Sequence, residues 1–361
     1  MCIFGSENEF LFMDKIQPLS ASELTRMTSL RSGEVKFGER METIPKGMGI
    51  QEGIEQSEAR FVILGIPEDI GIKANFGRSG AASTWKAALQ ALVNIQHNRY
   101  CKGSHILVIG ALNLADEMAQ AATLDPNDTE ELKKLRALVA LIDKEVTHWV
   151  RIIVSAGKVP ILIGGGHNNA YGAIKGTALA VGKPIHAINF DAHSDFRQLE
   201  GRHSGNGFSY AFEEGFLKKY ALFGLHENYL SKNVMDHLKS LEGKVLYNTY
   251  EDLKIRRKKA TKDELHLLLD FVKHEAFGVE IDLDAIEGVP SSAMTLSGFS
   301  VEEARQYMYA CGLCRHAAYL HICEGAVSLG DEKNPQLIGK LISYLITDFI
   351  KAKREHTQGV S

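Results

Sequence analysis

Asp191, His193 and Asp195 stand in the stretch INFDAHSDFR, residues 188–197, and put an ionisable side chain at every second position directly after an apolar run. In extended chain, alternate side chains share a face at ~7 Å spacing. Burying unpaired charges is costly, so a positive group is expected among them. Asp282 and Asp284 in GVEIDLDAIEG repeat the pattern at the end of a second apolar run. A lone D-x-D is often only a cap or a solvated strand end. In ILIGGGHNNAYG three glycines, Gly164 to Gly166, precede His167. This is not a phosphate loop: the Gly-Lys-Ser/Thr ending is absent, and Asn169 stands where a dinucleotide fingerprint needs its third glycine. The glycines read instead as a tight turn that lets His167 project above a sheet. Taken alone, His167 is equally compatible with a buried, hydrogen-bonded histidine.

The conjunction is more informative than any one stretch. If the three apolar runs are strands of one parallel sheet, they deliver two imidazoles and four carboxylates to the same edge. Ligands richer in oxygen than nitrogen, without thiolate, fit a pair of hard or borderline divalent ions, manganese ahead of zinc. Two ions roughly 3.5–4 Å apart need bridging carboxylates, which this set can supply. Without cations the same acids would crowd one rim, raising their pKa values and destabilising the fold. Two such ions acidify water enough for attack on an electrophilic carbon, so the reaction class is metal-assisted hydrolysis. Spacing alone does not name the bond.

The elements that must position these residues begin near residue 60. Apolar runs of strand length occupy 61–66, 105–110, 160–163, 184–190, 220–225, 277–283 and 318–323. Helical patterns lie between or after them at 129–156, 168–182, 230–241, 261–275, 300–314 and 334–354. Strands apolar on both faces that alternate with amphipathic helices imply an α/β fold, a parallel sheet covered on both sides. Ligands of such sheets bind beyond the carboxyl ends of the strands, which is where the unusual residues collect. No Pro/Gly/Ser-rich linker interrupts residues 60–354, so 59–361 read as one catalytic domain. Residues 1–58 read as an N-terminal extension holding one or two short helices.

Composition narrows the class. A chain of 361 residues with 45% hydrophobic and 24% charged content can bury a large core. Its formal net charge of −4 argues against nucleic-acid or anionic-membrane partners, which demand a basic surface. The cysteines Cys2, Cys101, Cys311, Cys314 and Cys323 are odd in number, which disfavours a disulfide framework and points to a reducing compartment. Cys311 and Cys314 form a C-x-x-C inside a helical run without a second pair, weak grounds for zinc or redox chemistry. No apolar leader or membrane anchor is visible at the N-terminus, so a cytoplasmic location is expected.

With the three motifs in view, the chain resembles the ureohydrolases, the family of arginase, agmatinase and formimidoylglutamase. Their G-G-x-H, D-A-H-x-D and D-x-D signatures are matched by Gly164–His167, Asp191–Asp195 and Asp282–Asp284, and the match extends over residues 60 to about 350. The resemblance implies a three-layer α/β/α domain with a mostly parallel sheet of about eight strands. It also implies two Mn²⁺ per subunit: one held by His167, Asp191, Asp195 and Asp282, the other by His193, Asp191, Asp282 and Asp284. Asp191 and Asp282 would bridge. Glu324, in LHICEGA, takes the family position that hydrogen-bonds amidine or guanidine nitrogens, and Asp195 would pass a proton to the departing amine. A trimeric or hexameric homo-oligomer is the family habit.

Within the family the chain is most similar to formimidoylglutamases. Phe208 falls where arginases and agmatinases carry a shuttle histidine, with His203 the nearest substitute. An S-G-x-x-F element is matched by Ser204, Gly205, Asn206, Gly207 and Phe208, and an arginine after D-A-H-x-D by Arg197. The implied reaction is hydrolysis of N-formimidoyl-L-glutamate to L-glutamate and formamide, a step of histidine degradation. A dicarboxylate suits arginine's fork geometry, and Arg78, Arg197 and Arg202, with Ser204 and Asn206, are the candidate substrate contacts. A solvated surface position is the commoner fate of such arginines, and Arg197 ranks first of the three because it stands beside a residue expected to ligate metal. His226 replaces a common family arginine, which puts contacts from Glu227 and Tyr229 in question, and Glu287 replaces a family aspartate. His321 is expected to be a packed residue. The alternatives are an arginase or agmatinase-like guanidino hydrolase releasing urea, and a non-catalytic metal-binding protein on the same scaffold.

Overall fold

The computed structural model describes residues 15–331 and 334–358. Its strands are β1 (Ile16–Gln17), β2 (Glu42–Thr43), β3 (Phe61–Gly65), β4 (Ile106–Leu112), β5 (Val159–Ile163), β6 (Ile185–Phe190), β7 (Leu217–Leu225), β8 (Val245–Thr249), β9 (Phe277–Asp282) and β10 (Ala317–Cys323). All ten join one sheet in the order β1-β4-β3-β5-β10-β9-β6-β7-β8, with β2 added on β4. Only β1 runs antiparallel to its neighbour.

Strand alternation splits the apolar side chains between two cores. Phe61 and Ile63 of β3 pack in one core, Val62 and Leu64 in the other. The helices Thr84–Leu92, Thr261–Val272, Val301–Leu313 and Gln336–Gln358 cover the first face. Thr129–Ser155, Asn169–Val181 and Gly207–Glu213 cover the second. Helix Thr129–Ser155 shows how locally this is encoded. Asp128 caps its first turn by accepting from the Glu130 and Glu131 N–H groups, and Leu135, Leu138, Val139, Ile142, Val146, Trp149, Val150 and Ile153 form its buried stripe. Gly157, at φ 73°, ends the run.

The three-layer expectation holds, with ten strands in place of about eight. The three strands that match none of the seven apolar runs left weak traces. β8 is a half-buried edge strand containing Asn248, and β1 and β2 are two residues each. Both short strands lie before residue 59 and pair with β4, so two stretches of the segment expected as an extension are part of the sheet. Cys101, Cys311, Cys314 and Cys323 are free thiols, and Cys2 lies outside the described residues. Among the described residues no helix is long and apolar enough to cross a membrane.

Candidate metal centre

Four adjacent central strands, β5, β10, β9 and β6, point their carboxyl ends at one place. His167 follows β5, Asp191 to Asp195 follow β6, Asp282 closes β9 and Glu324 follows β10. At the end of β5, Gly164 and Gly165 adopt φ of 93° and 75°, conformations that favour glycine. A Cβ on Gly165 would lie 2.4 Å from Asn169 Nδ2 and 2.8 Å from Glu68 Oε1. The turn therefore needs glycine for its backbone and for its crowding. Glu68, which the sequence reading passed over, secures it: its carboxylate accepts from Gly166 N–H at 3.0 Å and Asn169 Nδ2 at 2.6 Å, and from Ile70 N–H at 2.8 Å.

The D-A-H-x-D residues do not converge as an extended strand. β6 stops at Phe190, and the chain bends through 191–195, with Asp195 at φ 45°. Glu324 is also left-handed, at φ 64°. Such backbone strain in non-glycine residues persists where surrounding structure over-determines it, and it clusters at functional sites. The Asp191 carboxylate accepts from the His193 N–H at 2.6 Å, and the Asp282 carboxylate from the Asp284 N–H at 2.8 Å. Each D-x-[HD] pair thus closes a small side-chain turn that aims its second member inward.

Two ligand groups result. Nδ1 of His167 lies 2.9 Å from Asp195, 3.3 Å from Asp191 and 3.3 Å from Asp282 carboxylate oxygens. Nδ1 of His193 lies 3.3 Å from Asp284 and 3.5 Å from Asp191. His167, Asp191, Asp195 and Asp282 could hold one ion, and Asp191, His193 and Asp284 a second, so Asp191 belongs to both groups. Asp282 comes together with the first group and touches the second through the Asp284 backbone.

Several features fit divalent cations. Neither ring nitrogen of the buried His167 has an aligned hydrogen-bond partner, and Asp284 Oδ1 has none either. Burial, then Asp284 and Asp191, push the Asp282 carboxyl well above its usual range. Burial and Asp191 likewise raise Asp195. For His167, burial disfavours charge, yet Cys323, Asp191 and Asp195 outweigh it and drive the imidazole well up. Asp191 moves the other way: against its burial, His167 and His193 hold it well below the usual carboxylate range. Buried acids that disfavour one another's charge, set against imidazoles that favour it, form a cluster whose charge a cation would balance. The donors are oxygen and nitrogen throughout, as hard or borderline ions require.

Above this floor lies a cavity of about 640 Å³ lined by His193, Asp195, Asp282, Asp284, Glu324 and rim residues. Glu324 accepts the His167 N–H at 2.9 Å, and burial followed by Asp284 and Asp195 push its carboxyl up to about 8. Arg197 lines the cavity half-exposed, its guanidinium donating to Asn75 Oδ1 at 3.0 Å and Glu200 Oε1 at 3.1 Å. Ser204 lines it too and accepts from Asn75. The other predicted contacts are turned away. Arg202 is buried against Asp143 at 2.8 Å and donates to Asn206 and the Asn168 carbonyl. The Asn206 amide in turn donates to the Gln198 and Gly201 carbonyls. Arg78 donates to the Ser291 and Ser292 carbonyls and is absent from the cavity lining.

His203 is buried rather than poised over the site. Its Nδ1 accepts from Gly205 N–H at 3.1 Å, and its Nε2 faces Glu200 at 3.1 Å. His226 stacks between Tyr229 and Tyr250, and Tyr229, itself stacked on His193, reaches the cavity. Glu227 pairs with Arg256, and Glu287 is exposed. His321 is fully buried, as expected, but its Nδ1 contacts Glu280 at 2.7 Å. The sequence reading missed Glu280 although a signal was there, an acid inside an apolar strand two residues before Asp282.

The Arginase family model matches residues 59–340, and the chain belongs to that family. Among similar proteins, the formimidoylglutamase of Chromobacterium violaceum is 26% identical over 261 residues, 71% of this chain and 76% of that protein. The formimidoylglutamase of Hahella chejuensis is 29% identical over 62% of this chain and 64% of its own length. The fold is shared with solved structures. Trypanosoma cruzi formiminoglutamase with Mn²⁺ superposes with a TM-score of 0.66 at 19% identity, covering 89% of this chain and 98% of that one. Bacillus subtilis formimidoylglutamase gives 0.64 at 17% identity, covering 98% and 97%.

Proposed function

We propose that this chain is a manganese-dependent amidine hydrolase that converts N-formimidoyl-L-glutamate to L-glutamate and formamide. The observation that carries the chemistry is the convergence of His167, Asp191, His193, Asp195, Asp282 and Asp284 beneath one cavity. The substrate is supported by the formimidoylglutamases among its relatives and by Arg197 at the cavity wall. His167, Asp191, Asp195 and Asp282 would hold one Mn²⁺, and Asp191, His193 and Asp284 the other, with Asp282 alongside. When bound, the ions supply Lewis acidity and make water more acidic.

The chain's own groups do the rest. Glu324 binds the amidinium: the incoming cation offsets the burial and the neighbouring acids that hold its carboxyl near 8, and the resulting charge-assisted hydrogen bonds orient the carbon for attack. Asp195, whose left-handed backbone turns its carboxylate inward, holds the proton released by attacking water and delivers it to the departing glutamate nitrogen. Arg197, with Asn75 fixing one end of its guanidinium, grips a substrate carboxylate. The free thiols accord with a cytoplasmic home, and a trimeric or hexameric assembly completes the reading.

The test is a parallel assay of formimidoylglutamate, arginine and agmatine with manganese-loaded protein. Formamide from formimidoylglutamate alone is the expected result. Urea from arginine or agmatine would reassign the enzyme to guanidino hydrolysis, and manganese uptake without turnover of any of the three would make it a binding protein.

A further inference from the structure

We propose that Glu280 is a positioning residue for the metal centre: it accepts the Nε2 proton of His167 and thereby commits the Nδ1 lone pair of that ring to the ion. The inference rests on the metal reading above. Glu280 sits in β9 between Val279 and Ile281 with no solvent exposure. An acid there is costly unless its oxygens are engaged. Oε1 accepts from the Tyr319 hydroxyl at 2.6 Å, and Oε2 contacts His321 Nδ1 at 2.7 Å. The parallel register of β10 on β9 places His321 directly beside Glu280, and the Tyr307 hydroxyl donates to the Glu280 carbonyl at 2.9 Å. Side chain and backbone are therefore both clamped.

The free edge of that clamp faces His167. Glu280 Oε2 lies 3.5 Å from His167 Nε2, while Nδ1 of the same ring faces Asp191, Asp195 and Asp282. A nitrogen that ligates a metal carries no proton, so a neutral His167 must carry it on Nε2, which then needs an acceptor. Cys323 and His321 approach the same ring, but a carboxylate is the strongest acceptor of the three. The 3.5 Å separation is about half an ångström beyond an ordinary N–H···O bond, and a small ring adjustment closes it. Treating His167, His321 and Cys323 as a separate ion cage would require His167 to serve two centres at once.

The experiment is a titration of chelator-stripped protein with Mn²⁺ alone, reading the free ion by its electron paramagnetic resonance. Wild type should take up two ions. Glu280→Leu should weaken one binding step about 10–100-fold and leave the other within about threefold, while Glu280→Gln, which keeps an acceptor oxygen, recovers most of the loss. Wild-type affinity at both steps in Glu280→Leu overturns the proposal, as does parallel weakening of both steps in both variants, the mark of a general packing defect. If Glu280→Leu does not fold, the triple variant Glu280→Leu/His321→Leu/Tyr319→Phe removes both stranded partners and is read in the same way. No Mn²⁺ uptake by wild type would overturn the metal reading itself.

Discussion

At the floor of the cavity His167, Asp191, Asp282 and Glu324 are 1%, 0%, 2% and 6% exposed, whereas at the rim the Arg197 side chain keeps 50% of its surface. The floor is made where four central strands stop, and each group there is held by short backbone bonds to its neighbours. The rim is made by loops whose side chains hold one another: Arg197 to Asn75 and Glu200, Asn75 to Ser204, Tyr229 stacked on His193. The floor is mostly buried and pre-organised, which suits ions and a charged transition state. The rim is wetter and adjustable, which suits telling one amidine or guanidine from another.

Breaking the floor should therefore destroy chemistry, and altering the rim should change recognition. The largest effect is expected for Asp191→Asn, because Asp191 belongs to both ligand groups. Turnover should fall at least about 10³-fold, beyond the tenfold to hundredfold loss usual for residues that only orient a ligand, and elemental analysis should find fewer than two ions. Near-normal turnover by metal-free Asp191→Asn would refute the site. Glu324→Gln comes next: kcat should drop roughly 10²–10³-fold while the metal content stays at the wild-type level, which separates substrate orientation from ion binding.

At the rim, Arg197→Met should raise KM for formimidoylglutamate roughly 10–100-fold, matching loss of a charged hydrogen bond, with kcat and metal content little changed. An equal fall in kcat would move Arg197 into the chemistry. The smallest effect concerns the loop that carries Arg197. Burial first, then Arg197 and Arg136, push His203 down to about 4. Its folded value is below its unfolded one, so the unfolded chain binds the extra proton between pH ~6.5 and about 4, and stability falls on acidification through that window. His203→Gln should remove roughly 2 kcal/mol of this acid sensitivity at pH 5, measured by urea unfolding at pH 7 and pH 5 against wild type.

The same contrast governs what could be read in advance. The floor was legible because each candidate ligand lies at or just beyond the end of an apolar strand, so its type and its place at a carboxyl edge are local facts. The rim was not. Arg197 and Arg202 are five residues apart in similar polar sequence, yet one lines the cavity and the other is locked on Asp143 in the long helix Thr129–Ser155. Glu280 was passed over because its worth depends on Tyr319 and His321, about forty residues away (separations of 39 and 41).

By itself the sequence determined the seven longer apolar strands, their two-sided covering by helices, and the identity of the acids and imidazoles at their ends, because alternation and apolar runs act over a few residues. Only the tertiary structure decided that β10 and β9 insert between β5 and β6, which brings Glu324 and Asp282 beside His167 and Asp191. It also decided that a bend, not an extended strand, gathers Asp191, His193 and Asp195, and which arginine faces the cavity. Most of those outcomes depend on partners far apart in sequence, from Arg202 and Asp143 at a separation of 59 to the Glu324–His167 bond that spans 157, and no local pattern records them.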